Sequence, residues 1–185
     1  MAAAVYVGVD PGKSGAIAFL DNETGVAVAQ VTPMIPASGS REEFDLPAIR
    51  DVFLHAAALA GGPHRLFVTV EKTQPMPPSF PGGSANFARG VGRGWEWMLV
   101  ALGVPYYLVA PRTWQKAMHA GTPESDTKQR SIMAAQRFFP LVSLLASPRC
   151  RVHHDGMAEA LLLAAYGQRV HKGDPARVHK GDPAP

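Results

Sequence analysis

The chain has 185 residues, 46% of them hydrophobic, with 18 Lys and Arg against 15 Asp and Glu, a formal charge of +3 and a single cysteine. That length suits one domain with its own core, the lone Cys150 excludes an internal disulfide framework and a cysteine-built zinc site, and no apolar run is long enough for a membrane span. The opening Met-Ala-Ala-Ala carries no signal-peptide pattern, so a cytoplasmic protein with no membrane partner is expected.

Ala4 to Asp10 is a short apolar run closed by an acid and by Pro11-Gly12, which reads as a buried strand entering a tight turn. Gly15–Leu20 and Val26–Thr32 are two further strands around the turn Asp21–Gly25, so the chain opens as an antiparallel meander. Pro33–Ser40 reads as loop. From about Asp45 to Ala60 the spacing of Leu46, Ile49, Val52, Phe53 and Ala57 is helical, and Gly61-Gly62-Pro63 stops it.

Leu66–Glu71 is a fourth buried strand ending in an acid, followed by a loop rich in Pro and Gly from Thr73 to Ser84. A helix over about Ala85–Leu102, a fifth strand Val104–Val109 and a short helix Pro111–His119 with proline in its first turn come next. Ser125 or Asp126 caps a helix through Phe138, and the last helix spans about His154–Gln168. Beyond it Arg-Val-His-Lys-Gly-Asp-Pro-Ala occurs twice, at 169–176 and 177–184, a composition that buries no core. The expected organisation is therefore one α/β domain over residues 1–168, a five-stranded mixed sheet flanked by helices, and a disordered duplicated tail over 169–185.

Gly8-Val-Asp-Pro-Gly-Lys-Ser14 resembles a phosphate-binding P-loop only superficially. It has three residues between its glycines where four are needed, one of them is Asp10, and a strand follows where a helix N-terminus is required. No nucleotide cofactor is expected.

Two acids, Asp10 and Glu71, end apolar strands that emerge at the same sheet edge if those strands are parallel neighbours. Asp155 and Glu159 stand four apart on one face of the last helix, a like-charge spacing that needs a cation between them. Helix-dipole complementation is the plain alternative for Asp155. Four convergent carboxylates without a cysteine cluster suit hard divalent cations, Mg²⁺ or Mn²⁺, and a pair of such ions serves in-line attack of water on a phosphodiester.

The segments Gly8–Ala18, Val70–Met76, Val109–Lys116 and Asp155–Ala164 together resemble the RuvC-like Holliday junction resolvases, and most of all their chloroplast-type branch with its bacterial and phage relatives. The resemblance covers about residues 4–168 in matching order. It implies an RNase H-like fold, a homodimer and metal-dependent nicking of four-way DNA junctions, with Asp10, Glu71, Asp155 and Glu159 as the metal-binding catalytic acids. The final acids are Asp and Glu four apart, as in the chloroplast-type branch, whereas bacterial RuvC has two aspartates three apart. With no transit peptide before the first strand, the expected setting is bacterial or phage-infected cytoplasm.

Charge placement agrees with a polyanionic partner: residues 1–60 sum to −4, residues 61–151 to +7, and the remainder is balanced. Lys72, Lys116, Lys128 and Arg130 are the expected phosphate contacts, against the alternative of an ordinary solvated surface. In Thr73–Ala88, which corresponds to the family's junction-contacting loop, Phe80 is the preferred base-stacking residue, with Phe87 as a second aromatic. His153 or His154, beside Asp155, is a possible proton donor to the leaving oxygen. Gly90 and Gly94 permit close helix approach, either within the monomer or to a second subunit. Two other readings stay open: a different RNase H-like enzyme, of transposase or phosphotransferase type, and a non-catalytic junction-binding protein.

Overall fold

The computed structural model describes residues 5–39, 41–73 and 82–171, with the backbone alone for 82–89. Strands β1 (Val5–Asp10), β2 (Ala16–Asp21) and β3 (Ala27–Val31) form the expected antiparallel meander. A hairpin of β4 (Met34–Pro36) and β5 (Glu42–Phe44) follows, then α1 (Leu46–Ala60) and β6 (Leu66–Glu71). The chain continues through α2 (Gly82–Ala101), β7 (Tyr106–Val109), α3 (Pro111–Met118), α4 (Thr127–Phe138) and α5 (Asp155–His171). The main sheet has the order β3-β2-β1-β6-β7, with β6 parallel to both β1 and β7. This is the five-stranded mixed sheet flanked by helices expected from the sequence.

Side-chain alternation along the strands splits the core in two. Tyr6 and Phe67 point to the face covered by α5, α4 and α3, whereas Val7, Val9, Val68 and Val70 point to the face covered by α1 and α2. On the second face α1 presents Ile49, Phe53, Ala57 and Ala60 as its buried stripe. Its ends are set as the sequence suggests: Asp45 accepts from the Ala48 N–H at 3.0 Å, and Gly61 takes the left-handed conformation at φ 85°.

Helix α5 is the central helix, buried along nearly its whole length from Gly156 to Gly167. It lies across β1 at Gly8, where a Cβ would stand 1.9 Å from the Ala160 carbonyl oxygen. Only glycine admits that crossing.

Several boundaries differ from the sequence reading. Helix α2 begins at Gly82, inside the Thr73–Ser84 stretch expected as loop. Residues 33–40, expected as loop, contribute β4, a three-residue strand too short to show an alternating pattern. Helix α5 runs through Arg169 and Val170 to a buried His171, so the first repeat copy begins inside the helix. Residues 172–185 lie outside the described residues. Among the described residues no helix is long and apolar enough to cross a membrane.

Candidate active site

Strand alternation places two of the four acids. Tyr6, Gly8 and Asp10 share the α5 face of β1, and Phe67, Thr69 and Glu71 share the same face of β6. The two strands are parallel with Val9 opposite Val70, so Asp10 and Glu71 leave the sheet side by side. Asp155 and Glu159 lie one turn apart at the start of α5. Gly156 brings that helix end against the turn after β1: a Cβ there would lie 3.0 Å from Oδ2 of Asp10 and 2.7 Å from the Ser14 carbonyl oxygen. After Asp10 the chain turns directly into β2, which agrees with setting aside the P-loop.

The carboxyls feel one another. Burial, opposed by the Gly12 N–H and reinforced by the Asp155 charge, pushes Asp10 up to about 6. Glu71 is raised to about 7 by burial and by Asp10, against the stabilising bond from Trp114. Burial followed by the charges of Asp10 and Glu71 lifts Glu159 to about 8. Asp155 moves the other way: burial pushes it up, but the hydrogen bond and charge of Lys128 bring it below its ordinary value.

Each outer acid has a partner. The Trp114 indole N–H donates to Oε2 of Glu71 at 2.7 Å, the Ser131 hydroxyl donates to Oε1 of Glu159 at 3.1 Å, and the Lys128 ammonium lies 2.6 Å from Oδ2 of Asp155. Asp126 caps α4 by accepting from Gln129 N–H at 2.9 Å, which fixes the helix end carrying Lys128.

The donor set is all carboxylate oxygen, crowded and short of positive charge, which fits a hard divalent cation in chemistry. Its geometry is not that of a closed coordination shell: among the described residues no three His, Cys, Asp or Glu side chains are gathered around one point. Lys128 holds Asp155, and Trp114 and Ser131 each hold one oxygen of a glutamate.

The expected DNA contacts fall in different places. Lys128 is at the acids. Lys72, exposed, directly follows Glu71. Lys116 lies on the outer side of α3, lining a groove of about 620 Å³ with Arg112 and Arg169. Arg130 is half-buried with its Nε enclosed, and its charge is felt by His119. Phe80 and the side chain of Phe87 lie outside the described residues. His154 accepts from the Met157 N–H at 3.3 Å and so caps α5, while His153 faces Gln136 at 3.3 Å.

Sequence reasoning passed over Trp114, Ser131, His119 and Gly156. Trp114 and Gly156 lie inside quoted motifs, where their types alone gave no role. Ser131 and His119 carry no local sequence signal, because their pairing joins two different segments.

Among solved structures, the chain is similar to a Thermus thermophilus RuvC structure, at 16% identity over 89% of this chain and 95% of that one, with a TM-score of 0.47. It is also similar to T. thermophilus RuvC in complex with Holliday junction substrate, at 14% identity over 91% and 94%, with a TM-score of 0.49. At these identities the likeness assigns no residue and no activity to this chain. Neither a protein-family model nor a curated protein sequence matches it.

Proposed function

We propose that this chain is a structure-selective DNA endonuclease that resolves Holliday junctions by symmetric, metal-dependent hydrolysis, as a resolvase of the chloroplast-type branch. One observation carries the reading: Asp10 and Glu71 leave neighbouring strands side by side, the start of α5 with Asp155 and Glu159 packs against that end of the sheet, and three of the four acids are held above their ordinary carboxyl range. Uncompensated buried carboxyls are costly to a fold, and a cluster of them calls for a cation. The four motif segments in matching order supply the substrate class.

Asp10, Glu71, Asp155 and Glu159 would hold Mg²⁺ or Mn²⁺. Such ions, when bound, generate a hydroxide-like nucleophile near neutral pH and stabilise charge on the phosphate oxygens. Trp114 and Ser131 each fix one glutamate oxygen, and the other oxygen would take the cation. Lys128, exposed beyond its contact with Asp155, is within reach of a strand phosphate once that carboxylate turns to a cation. Hydrolysis leaves 5′-phosphate and 3′-hydroxyl ends, and Lys72, Lys116 and Arg130 take the flanking backbone.

A homodimer matches the two-fold symmetry of paired cuts. Support comes from α2: among the described residues a Cβ at Gly90 or at Gly94 would meet nothing within 4 Å, so the packing described within the monomer gives no reason for either glycine. Both border an apolar groove of about 540 Å³ with Leu46 and Trp97, which are 66% and 77% exposed.

The test uses Asp10→Asn and Glu159→Gln on a labelled four-way junction with Mg²⁺. Both variants are expected to bind the junction and to lose cleavage. Cleavage at the wild-type rate by either would overturn the assignment of the acids.

A further inference from the structure

A buried polar chain runs from α3 to α5 behind the acids. Nε2 of His119 lies 3.1 Å from the Ser131 hydroxyl, and that hydroxyl lies 3.1 Å from Oε1 of Glu159. Ser131 is fully buried and His119 nearly so. The His119 ring also stands edge-on to Trp114, with centroids 5.5 Å apart, and Trp114 is the donor to Glu71.

The proton count fixes the direction of this chain. A serine hydroxyl has one proton, and Glu159, ionised once a cation is bound, then has none to give. Ser131 therefore donates to Glu159 and must accept from His119. A neutral imidazole can do so only with its proton on Nε2. Burial, followed by the neighbouring charge of Arg130, keeps His119 below its ordinary pKa and so neutral.

We propose that Ser131 and His119 are positioning residues for Glu159: the Nε2–H of His119 orients the Ser131 hydroxyl, which pins Oε1 and turns Oε2 toward the metal-binding side of the site. The inference rests on the reading of Glu159 as a metal ligand. Partners behind metal-ligating carboxylates and imidazoles work in this manner, and their removal typically weakens metal binding about 10–100-fold. Here the device is assembled from two helices that do not themselves supply the acids.

The experiment measures Mn²⁺ binding by calorimetry on the full chain without DNA, with thermal unfolding as the folding control. Ser131→Ala is expected to weaken Mn²⁺ binding about 10–100-fold. Ser131→Thr, which keeps a hydroxyl, should restore most of it. His119→Phe keeps an aromatic ring beside Trp114 but removes the donor, and should weaken binding less than Ser131→Ala. His119→Gln, with an amide N–H to offer, should recover part of that loss. The ¹⁵N shifts of His119 should report the Nε2–H tautomer in the Mg²⁺-loaded wild type. Wild-type Mn²⁺ affinity in folded Ser131→Ala and His119→Phe, beside a loss in Glu159→Gln, would overturn the positioning role alone. Wild-type affinity in Glu159→Gln as well would overturn the metal-site reading beneath it.

Discussion

The Lys128 ammonium lies 2.6 Å from Oδ2 of Asp155, tying the first turn of α4 to the first turn of α5 at the centre of an acidic site. The pair brings a positive charge to a cluster in which three other carboxyls are pushed toward neutrality. It explains why Asp155 titrates below its ordinary value while its neighbours titrate above theirs.

Replacing Lys128 with Met should therefore move Asp155 upward, because burial, the largest influence on it, is then unopposed by the ammonium. A ¹³C-detected carboxyl titration reads this directly. The stability change should stay below about 1 kcal/mol, since the lysine side chain is 72% exposed and well screened. An unmoved Asp155 titration would contradict the electrostatic account of the site.

The raised carboxyls also set a pH dependence. Asp10, Glu71 and Glu159 titrate at about 6, 7 and 8 in the folded chain, against ordinary values of 3.8, 4.5 and 4.5. Between roughly pH 4 and 8 the folded state thus holds protons that the unfolded chain has released, and its stability falls as pH rises through that window. The metal-free protein should melt lower at pH 8 than at pH 5, and Glu159→Gln should flatten the difference. Mg²⁺ should raise the melting temperature more at pH 8, because it binds the ionised carboxyls. Parallel melting curves for wild type and Glu159→Gln would argue against the buried-acid picture.

Two glycines should respond oppositely to alanine. At Gly8 the new Cβ would meet the Ala160 carbonyl oxygen at 1.9 Å and the Ala164 nitrogen at 2.5 Å, both of them backbone of the central helix. Chemical denaturation should show a loss of about 3 kcal/mol or more. At Gly94, inside α2 with no described atom within 4 Å of a new Cβ, alanine should add about 0.5–1 kcal/mol. Tolerance at Gly8 would mean that α5 does not cross β1 as described.

The exposed face of α2 provides a test of assembly. Trp97→Glu places a charge on the apolar groove without touching the acids, so sedimentation velocity should show a shift from dimer to monomer. A wild-type chain that sediments as a monomer at all concentrations would remove this face as a dimer surface.

The sheet was legible because its strands are short apolar runs with clear stops, and parallel pairing carried Asp10 and Glu71 to a common edge. Helix α1 was equally legible from its spacing, with Asp45 and Gly61 at its ends. The β4–β5 hairpin was not, since three residues per strand show no period and prolines dominate its neighbourhood. Within the site the acids could be listed from sequence, but the contacts that orient them could not. Trp114 to Glu71, Lys128 to Asp155 and Ser131 to Glu159 each span 27 to 43 positions of sequence, so only the packing of α3 and α4 against the sheet and α5 brings them together.

The most direct measurement of the central claim is the fate of a labelled four-way junction incubated with the wild-type chain and Mg²⁺, followed by DNA ligase. The account predicts paired nicks in opposing strands that ligase seals, no cleavage of the matching linear duplex, and no cleavage with EDTA. Nicking unchanged by EDTA, equal cleavage of linear duplex, or an intact junction bound by folded, Mg²⁺-loaded protein would contradict it.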